Sequence, residues 1–67
     1  MIKITVNGKN REFDQPIGLM EFLSSNGLDI RFIAVAHNGE VVDRKDFSGV
    51  LLQNGDNLEV VRPVGGG

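Results

Sequence analysis

Apolar and polar residues alternate from the first residues of the chain: Ile2, Ile4 and Val6 are separated by Lys3 and Thr5. That period of two predicts a half-buried strand, and the Asn7-Gly8 pair after it fits the two-residue turn of a β-hairpin. The returning segment, Lys9 to Phe13, is polar except for Phe13. An edge strand guarded by charge against pairing with other chains has this character. Asp14-Gln15-Pro16 closes the hairpin, and Pro16 fits the first position of a helix, where its missing N–H leaves nothing unpaired. Between Ile17 and Ser25, Leu19, Met20, Phe22 and Leu23 fall at helical spacings. Gly27 supplies the left-handed residue that ends such a helix, while Gly18 weakens its start by about 1 kcal/mol relative to alanine.

The second half is strand-rich. Ile30 to His37 reads as one strand, apolar on both faces, with the helix expected on one side and some other layer on the opposite side. Asn38-Gly39 turns it into Glu40-Val41-Val42-Asp43, a second hairpin. Asp43 to Leu52 has mixed polarity and room for one short helical turn, and Asp43-Arg44-Lys45-Asp46 reads as a solvated charge run. Gln53-Asn54-Gly55-Asp56 is a further turn, and Leu58-Glu59-Val60-Val61 the last strand, closed by Pro63. Two hairpins flanking one helix, with a final strand added, pack as an α+β domain. The expected architecture is a β-grasp: a mixed sheet of about five strands with one main helix across one face. Its boundaries are a domain over 1–62 and a flexible tail over 63–67.

Composition narrows the chemistry. With 67 residues the chain buries only about 60 % of its unfolded surface, which leaves room for one modest core and little for an enzyme's own deep pocket. It has no cysteine, and so no disulfide, thiolate metal site or thiol nucleophile. A net charge of -2, with seven basic and nine acidic residues interspersed, lacks the basic surplus that nucleic acid demands. The apolar runs are too short for a membrane span, and no secretory signal opens the chain, so a cytoplasmic protein is expected. The single histidine, His37, has no second histidine or cysteine with which to share a metal. The acidic residues are scattered over separate elements, and no carboxylate pair is spaced for acid–base catalysis.

What remains is the end of the chain, Pro63-Val64-Gly65-Gly66-Gly67. These glycines match neither phosphate-binding pattern, since no helix follows them. A segment without side chains can thread a narrow channel that any Cβ would block. Five extended residues reach about 17 Å from the domain. The group delivered there is the α-carboxylate of Gly67. Adenylation with ATP would make it an electrophile, sulfur could then displace AMP, and a thiocarboxylate would remain. All of that catalysis would belong to a partner, with this chain as substrate and carrier.

Ala34-Val35-Ala36-His37-Asn38-Gly39-Glu40-Val41-Val42-Asp43-Arg44, together with Asn54 through Gly67, resembles the ThiS family of sulfur carriers in thiamine thiazole biosynthesis. The resemblance spans essentially the whole chain. It implies a ThiF-like adenylating enzyme, a ThiG-like thiazole synthase and a sulfur donor such as a cysteine desulfurase as partners. It also implies ATP consumed by the partner, with no cofactor or metal bound here. Gly67 would carry the sulfur, and Gly66, Gly65, Val64 and Pro63 would enter the partner's active site. Arg62, Val35 and His37 are the candidate interface residues. His37 and Asp43 depart from the family pattern, where an aliphatic residue and a proline are common. Three alternatives stay open: a MoaD-like subunit of molybdopterin synthase or a carrier for another sulfur metabolite, a ubiquitin-like module that binds without covalent chemistry, and a protein modifier.

Overall fold

The computed structural model describes residues 1–63. Strands β1 (Ile2–Val6) and β2 (Lys9–Phe13) form the first hairpin, paired in register from Ile2 opposite Phe13 to Val6 opposite Lys9. Asn7 and Gly8 both have positive φ, 51° and 81°, as a type I′ turn requires. A second hairpin joins β4 (Ala34–His37) to β5 (Glu40–Val42) through Asn38 and Gly39, at φ 51° and 87°. The last strand, β7 (Asn57–Val61), inserts between the hairpins, parallel to β1 and antiparallel to β4. The resulting five-stranded sheet has the order β2-β1-β7-β4-β5, so the charged β2 is an edge, as its polarity predicts.

Helix α1 spans Leu19–Ser25 and buries Leu19, Phe22 and Leu23. Its C-terminus closes as a Schellman motif: the Gly27 amide donates to Ser24 O, the Leu28 amide to Leu23 O, and Gly27 has φ 71°. Its start departs from expectation. Gly18 is extended, and Ile17–Gly18 forms a short strand, β3, antiparallel to β6 (Leu51–Leu52). The Leu19 amide, an orphan at any helix start, donates to Val50 O at 2.9 Å. Pairing with a distant segment thus overrides the local preference of Pro16 for a helical first turn.

The run Ile30 to His37 is also divided. Ile30–Phe32 is a 3-10 turn, started by Asp29, whose Oδ1 accepts from the Arg31 amide at 3.0 Å. The Arg44 Nε donates to Ile30 O at 2.9 Å and its Nη2 to Arg31 O at 3.3 Å. Arg44 is therefore a bracket across this turn rather than part of a merely solvated charge run. A second 3-10 turn, Arg44–Gly49, carries Phe47 into the core. There Phe47 joins Ile2, Ile4, Leu19, Phe22, Leu23, Ile33, Val35, Leu52 and Leu58 in one cluster. Burial of each such side chain stabilises by roughly 1.5–3 kcal/mol, and no polar side chain is buried among them.

Candidate functional site

The candidate site lies where β7 leaves the sheet. The last ladder pair sets Val61 opposite Ala34 on β4. On the other flank, beyond the end of β1, the Asn7 side chain takes over from the ladder. Its Nδ2 donates to Val60 O at 3.0 Å, and its Oδ1 accepts from the Val60 amide at 2.8 Å. The strand is thus held on both sides to within one residue of its end, after which Arg62 and Pro63 are exposed. Proline has no amide to continue the ladder. Val64, Gly65, Gly66 and Gly67 lie outside the described residues.

Two surfaces flank this exit. Alternation along the strands turns Val61, Glu59, Ala34, Ala36 and Val41 to the sheet face away from α1. Val41 is 80 % exposed and Val61 55 %. The opposite layer expected over Ile30 to His37 is therefore absent among the described residues, and an apolar patch is left beside the exit. On the helix side a groove of about 410 Å³ runs from Arg62 past Val60, Ile33 and Leu28 to Phe22 and Arg11. The Arg11 guanidinium lies 5.5 Å from the Phe22 ring centroid and 5.9 Å from that of Phe13, and the two rings meet edge-to-face at 5.8 Å.

The three interface candidates separate. Arg62 stands at the exit and lines the groove. Val35 is 2 % exposed, because it faces the helix, and it offers no surface to a partner. The adjacent Ala34 and Ala36 point outward instead. His37 pairs with Leu58 at the far end of β7 from Arg62, so the two cannot form one contact point. Its Nε2 lies 2.7 Å from Asp56 Oδ2, which also accepts from the Gln53 amide at 2.9 Å. Asn38 Nδ2 donates to Asp56 Oδ1 at 3.2 Å. Burial works against the ionised Asp56, but hydrogen bonds from His37, Gln53 and Asn38 outweigh it and hold the carboxyl below its ordinary value. His37 is thus a structural tie between the second hairpin and the loop before β7. Among the described residues no group of three His, Asp or Glu side chains could hold a metal ion, and no helix is long and apolar enough to cross a membrane.

In the sequence the Asn-Gly pairs read as turns and a helix end. The side chains of Asn7, Asn38 and Asn54 also clamp distant backbone: Asn38 Oδ1 accepts from the Asn57 amide and Asn54 Oδ1 from the Lys3 amide, both at 2.8 Å. Nothing in the local pattern distinguishes such a clamp from a turn residue, because the partners lie 19 to 53 positions away.

Solved structures share this fold. The crystal structure of the thiamine biosynthesis protein ThiS from Geobacter metallireducens superposes with a TM-score of 0.86 at 32 % identity, covering 98 % of this chain and 100 % of that one. A solution structure of a thiamine biosynthesis protein from the same organism gives 0.79 at 32 % identity, covering 98 % and 88 %. Thiazole synthases of Paramagnetospirillum magneticum and Magnetococcus marinus are each 35 % identical over 66 residues, 98 % of this chain. The chain spans about a fifth of the length of those two relatives, 20 % in each case. Residues 4–67 match the ThiS family, reaching through the terminal glycines. On the strength of that match and of the shared β-grasp fold, the chain belongs to the ThiS family.

Proposed function

We propose that this protein is a sulfur carrier for thiazole formation in thiamine biosynthesis, working through the carboxylate of Gly67. The observation that carries this reading is the family match extending to Gly67 on a domain whose central strand ends at an exposed Arg62–Pro63. In the proposed cycle the Gly67 carboxylate attacks the α-phosphorus of ATP on a ThiF-type enzyme, forming an acyl adenylate and releasing pyrophosphate. The outer sulfur of a donor persulfide, such as that of a cysteine desulfurase, then displaces AMP and leaves an acyl disulfide to the donor. A thiol reductant cleaves that S–S bond with two electrons, returning the donor thiol and leaving a thiocarboxylate, which a ThiG-type thiazole synthase consumes.

The division of labour follows from the residues. Among the described residues the exit of β7 itself carries only Arg62 and Pro63, neither a base nor a nucleophile, so the chemistry is assigned to the partners and the chain acts as substrate, with ATP bound by the activating enzyme. Residues 1–62 provide the recognised body, and 63–67 provide the reach into a partner's active site. The apolar patch of Ala34, Ala36, Val41 and Val61 gives an enzyme a surface to grip next to that segment. The two thiazole synthases support thiazole as the destination, since a segment resembling this whole chain forms part of each polypeptide. All of these steps are assigned to the cytoplasm.

The test is intact-mass measurement after incubation with the activating enzyme, ATP and a sulfur donor. One oxygen-to-sulfur exchange is expected on the full chain and none after deletion of Gly67. Sulfur accepted equally by the truncated chain would refute the proposal.

A further inference from the structure

The groove on the helix side of the sheet has a one-sided charge. Arg11 and Arg62 both line it, together with Phe22, Leu28, Ile33 and Val60, and among the described residues no carboxylate borders it. That is unusual for a chain in which acidic residues outnumber basic ones by nine to seven. Among the described residues neither guanidinium has a carboxylate within salt-bridge distance; the ion pairs are Arg31 with Asp29 and His37 with Asp56. Arg11 also sits within cation–π distance of Phe22 and Phe13, at 5.5 and 5.9 Å from their centroids, which narrows the side-chain freedom it has to lose on binding. A planar guanidinium on a fixed aromatic base suits bidentate capture of a carboxylate. The apolar part of the lining, Phe22, Leu28, Ile33 and Val60 with Asn7 and Asn26 beside them, suits an aliphatic or aromatic neighbour of that carboxylate.

We propose that this groove receives an acidic segment of the adenylating enzyme, a carboxylate side chain flanked by apolar residues, and so sets the domain in register with the exit of β7. The proposal rests on the carrier reading above. Because Arg62 directly precedes Pro63, a partner gripping Arg62 fixes where the tail begins. Arg11 adds a second point that prevents rotation about the first. Charge complementarity of this kind governs encounter rate and register more than raw affinity.

The experiment titrates the full-length chain against its ThiF-type enzyme at low and high salt and compares Arg11→Glu, Arg62→Glu and Lys45→Glu. Lys45 is exposed on the 3-10 turn away from the groove, so its variant makes the same change in net charge elsewhere. Each arginine variant is expected to raise Kd about tenfold or more at low salt and to flatten the salt dependence, while Lys45→Glu binds like the wild type. Should Arg11→Glu fail to fold because its ring contacts are lost, Arg62→Glu carries the test, since Arg62 lies beyond the last ladder pair. Unchanged affinity in Arg62→Glu, or an equal loss in Lys45→Glu, overturns the proposal. If the Gly67 amide resonance of the isolated chain shifts in the arginine variants while Kd stays constant, the groove serves the chain's own terminus, which also overturns it. Sulfur loading is measured in parallel. A wild-type chain that neither binds nor is loaded refutes the carrier reading along with this one, whereas normal loading with unaffected arginine variants refutes this one alone.

Discussion

The side-chain amide of Asn7 makes both backbone hydrogen bonds of Val60, donating at 3.0 Å and accepting at 2.8 Å, and so stands in for a strand residue where β1 has already turned away. One residue thereby does two things. Its backbone adopts the positive φ of the hairpin turn, and its side chain secures the last part of β7 before the chain leaves the sheet.

Replacing Asn7 separates these roles. Asn7→Gly keeps the turn and loses the two hydrogen bonds, and is expected to cost about 1–3 kcal/mol. Asn7→Ala loses both and costs a further 1 kcal/mol or so, because a Cβ in the left-handed region is strained. In a domain of this size each kcal/mol lowers Tm by roughly 4–8 °C, so thermal unfolding of the two variants resolves the difference. Equal stability of Asn7→Gly and wild type would show that the clamp contributes nothing.

The turn half of that arrangement was legible in the sequence and the clamp was not. The same division holds elsewhere. Alternation located β1, Asn-Gly pairs located both hairpins and with them β2, and the Asn54-Gly55 turn and Pro63 bracketed β7, because those signals are local. The β3–β6 pair was missed, since two-residue strands have no period and Ile17 finds Leu52 only through the fold. The division of Ile30–His37 was hidden because apolar content outweighed the one local signal, Asp29 two residues before Arg31. At the site, Arg62 and the tail stood out in the sequence, but the exposure of Val41 and the burial of Val35 depended on which face of β4 the helix covers.

Phe47 shows how much of the core lay in a segment without period. It is 1 % exposed, on a 3-10 turn packed against α1. Phe47→Ala is expected to destabilise by about 3–5 kcal/mol, a large share of the stability of a small domain. Urea unfolding monitored by circular dichroism measures it, and a loss under about 1 kcal/mol would mean that the site collapses around the cavity.

On the outer sheet face the expectation is reversed. Val41→Asp and Val61→Asp place charge on exposed positions and are expected to change stability by no more than about 0.5 kcal/mol. Binding of the activating enzyme should weaken about tenfold or more, since a charge would be desolvated in an apolar contact. Val35→Ala, one strand position from Ala34 but in the core, should instead cost about 2 kcal/mol. If its loss of binding simply followed its loss of stability, that would confirm the different role of the inner face.

Acid should weaken the fold in two separable steps. Asp29, hydrogen-bonded by the Arg31 side chain and amide, has its carboxyl lowered from 3.8 to about 2, and Asp56 is also lowered. A carboxyl with a depressed value stabilises the fold fully above its unfolded value, and that contribution is lost as pH falls through the folded value. Stability is therefore expected to be level above the ordinary carboxylate range and to decline from about pH 3.8 toward pH 2. Asp29 and Arg31 are exposed, so their share should vanish in high salt. The Asp56 share, with only 15 % of the side chain exposed, should persist. Denaturation curves of wild type and Asp56→Asn at both salt levels test this, and an acid slope in high salt that Asp56→Asn leaves unaltered would contradict it.

Gly66 distinguishes a covalent carrier from a module that only binds. It lies outside the described residues and beyond the last strand, so Gly66→Val is expected to leave Tm within about 1 °C of wild type, on the scale of 4–8 °C per kcal/mol. Binding through the sheet face and the groove should also persist, because it is assigned to Val41, Val61, Arg11 and Arg62. Loading is different. A β-branched side chain in a segment that must thread a partner's channel displaces the terminal carboxylate, and misplacement of a reacting group by about 1 Å costs on the order of a hundredfold in rate. Gly66→Ala, with one small Cβ, should fall between the two. The measurement is the rate of the oxygen-to-sulfur mass change for the three chains under one enzyme concentration. Equal rates would mean that the tail does not enter a confined site, and the carrier chemistry would then need a terminus reached in some more open way.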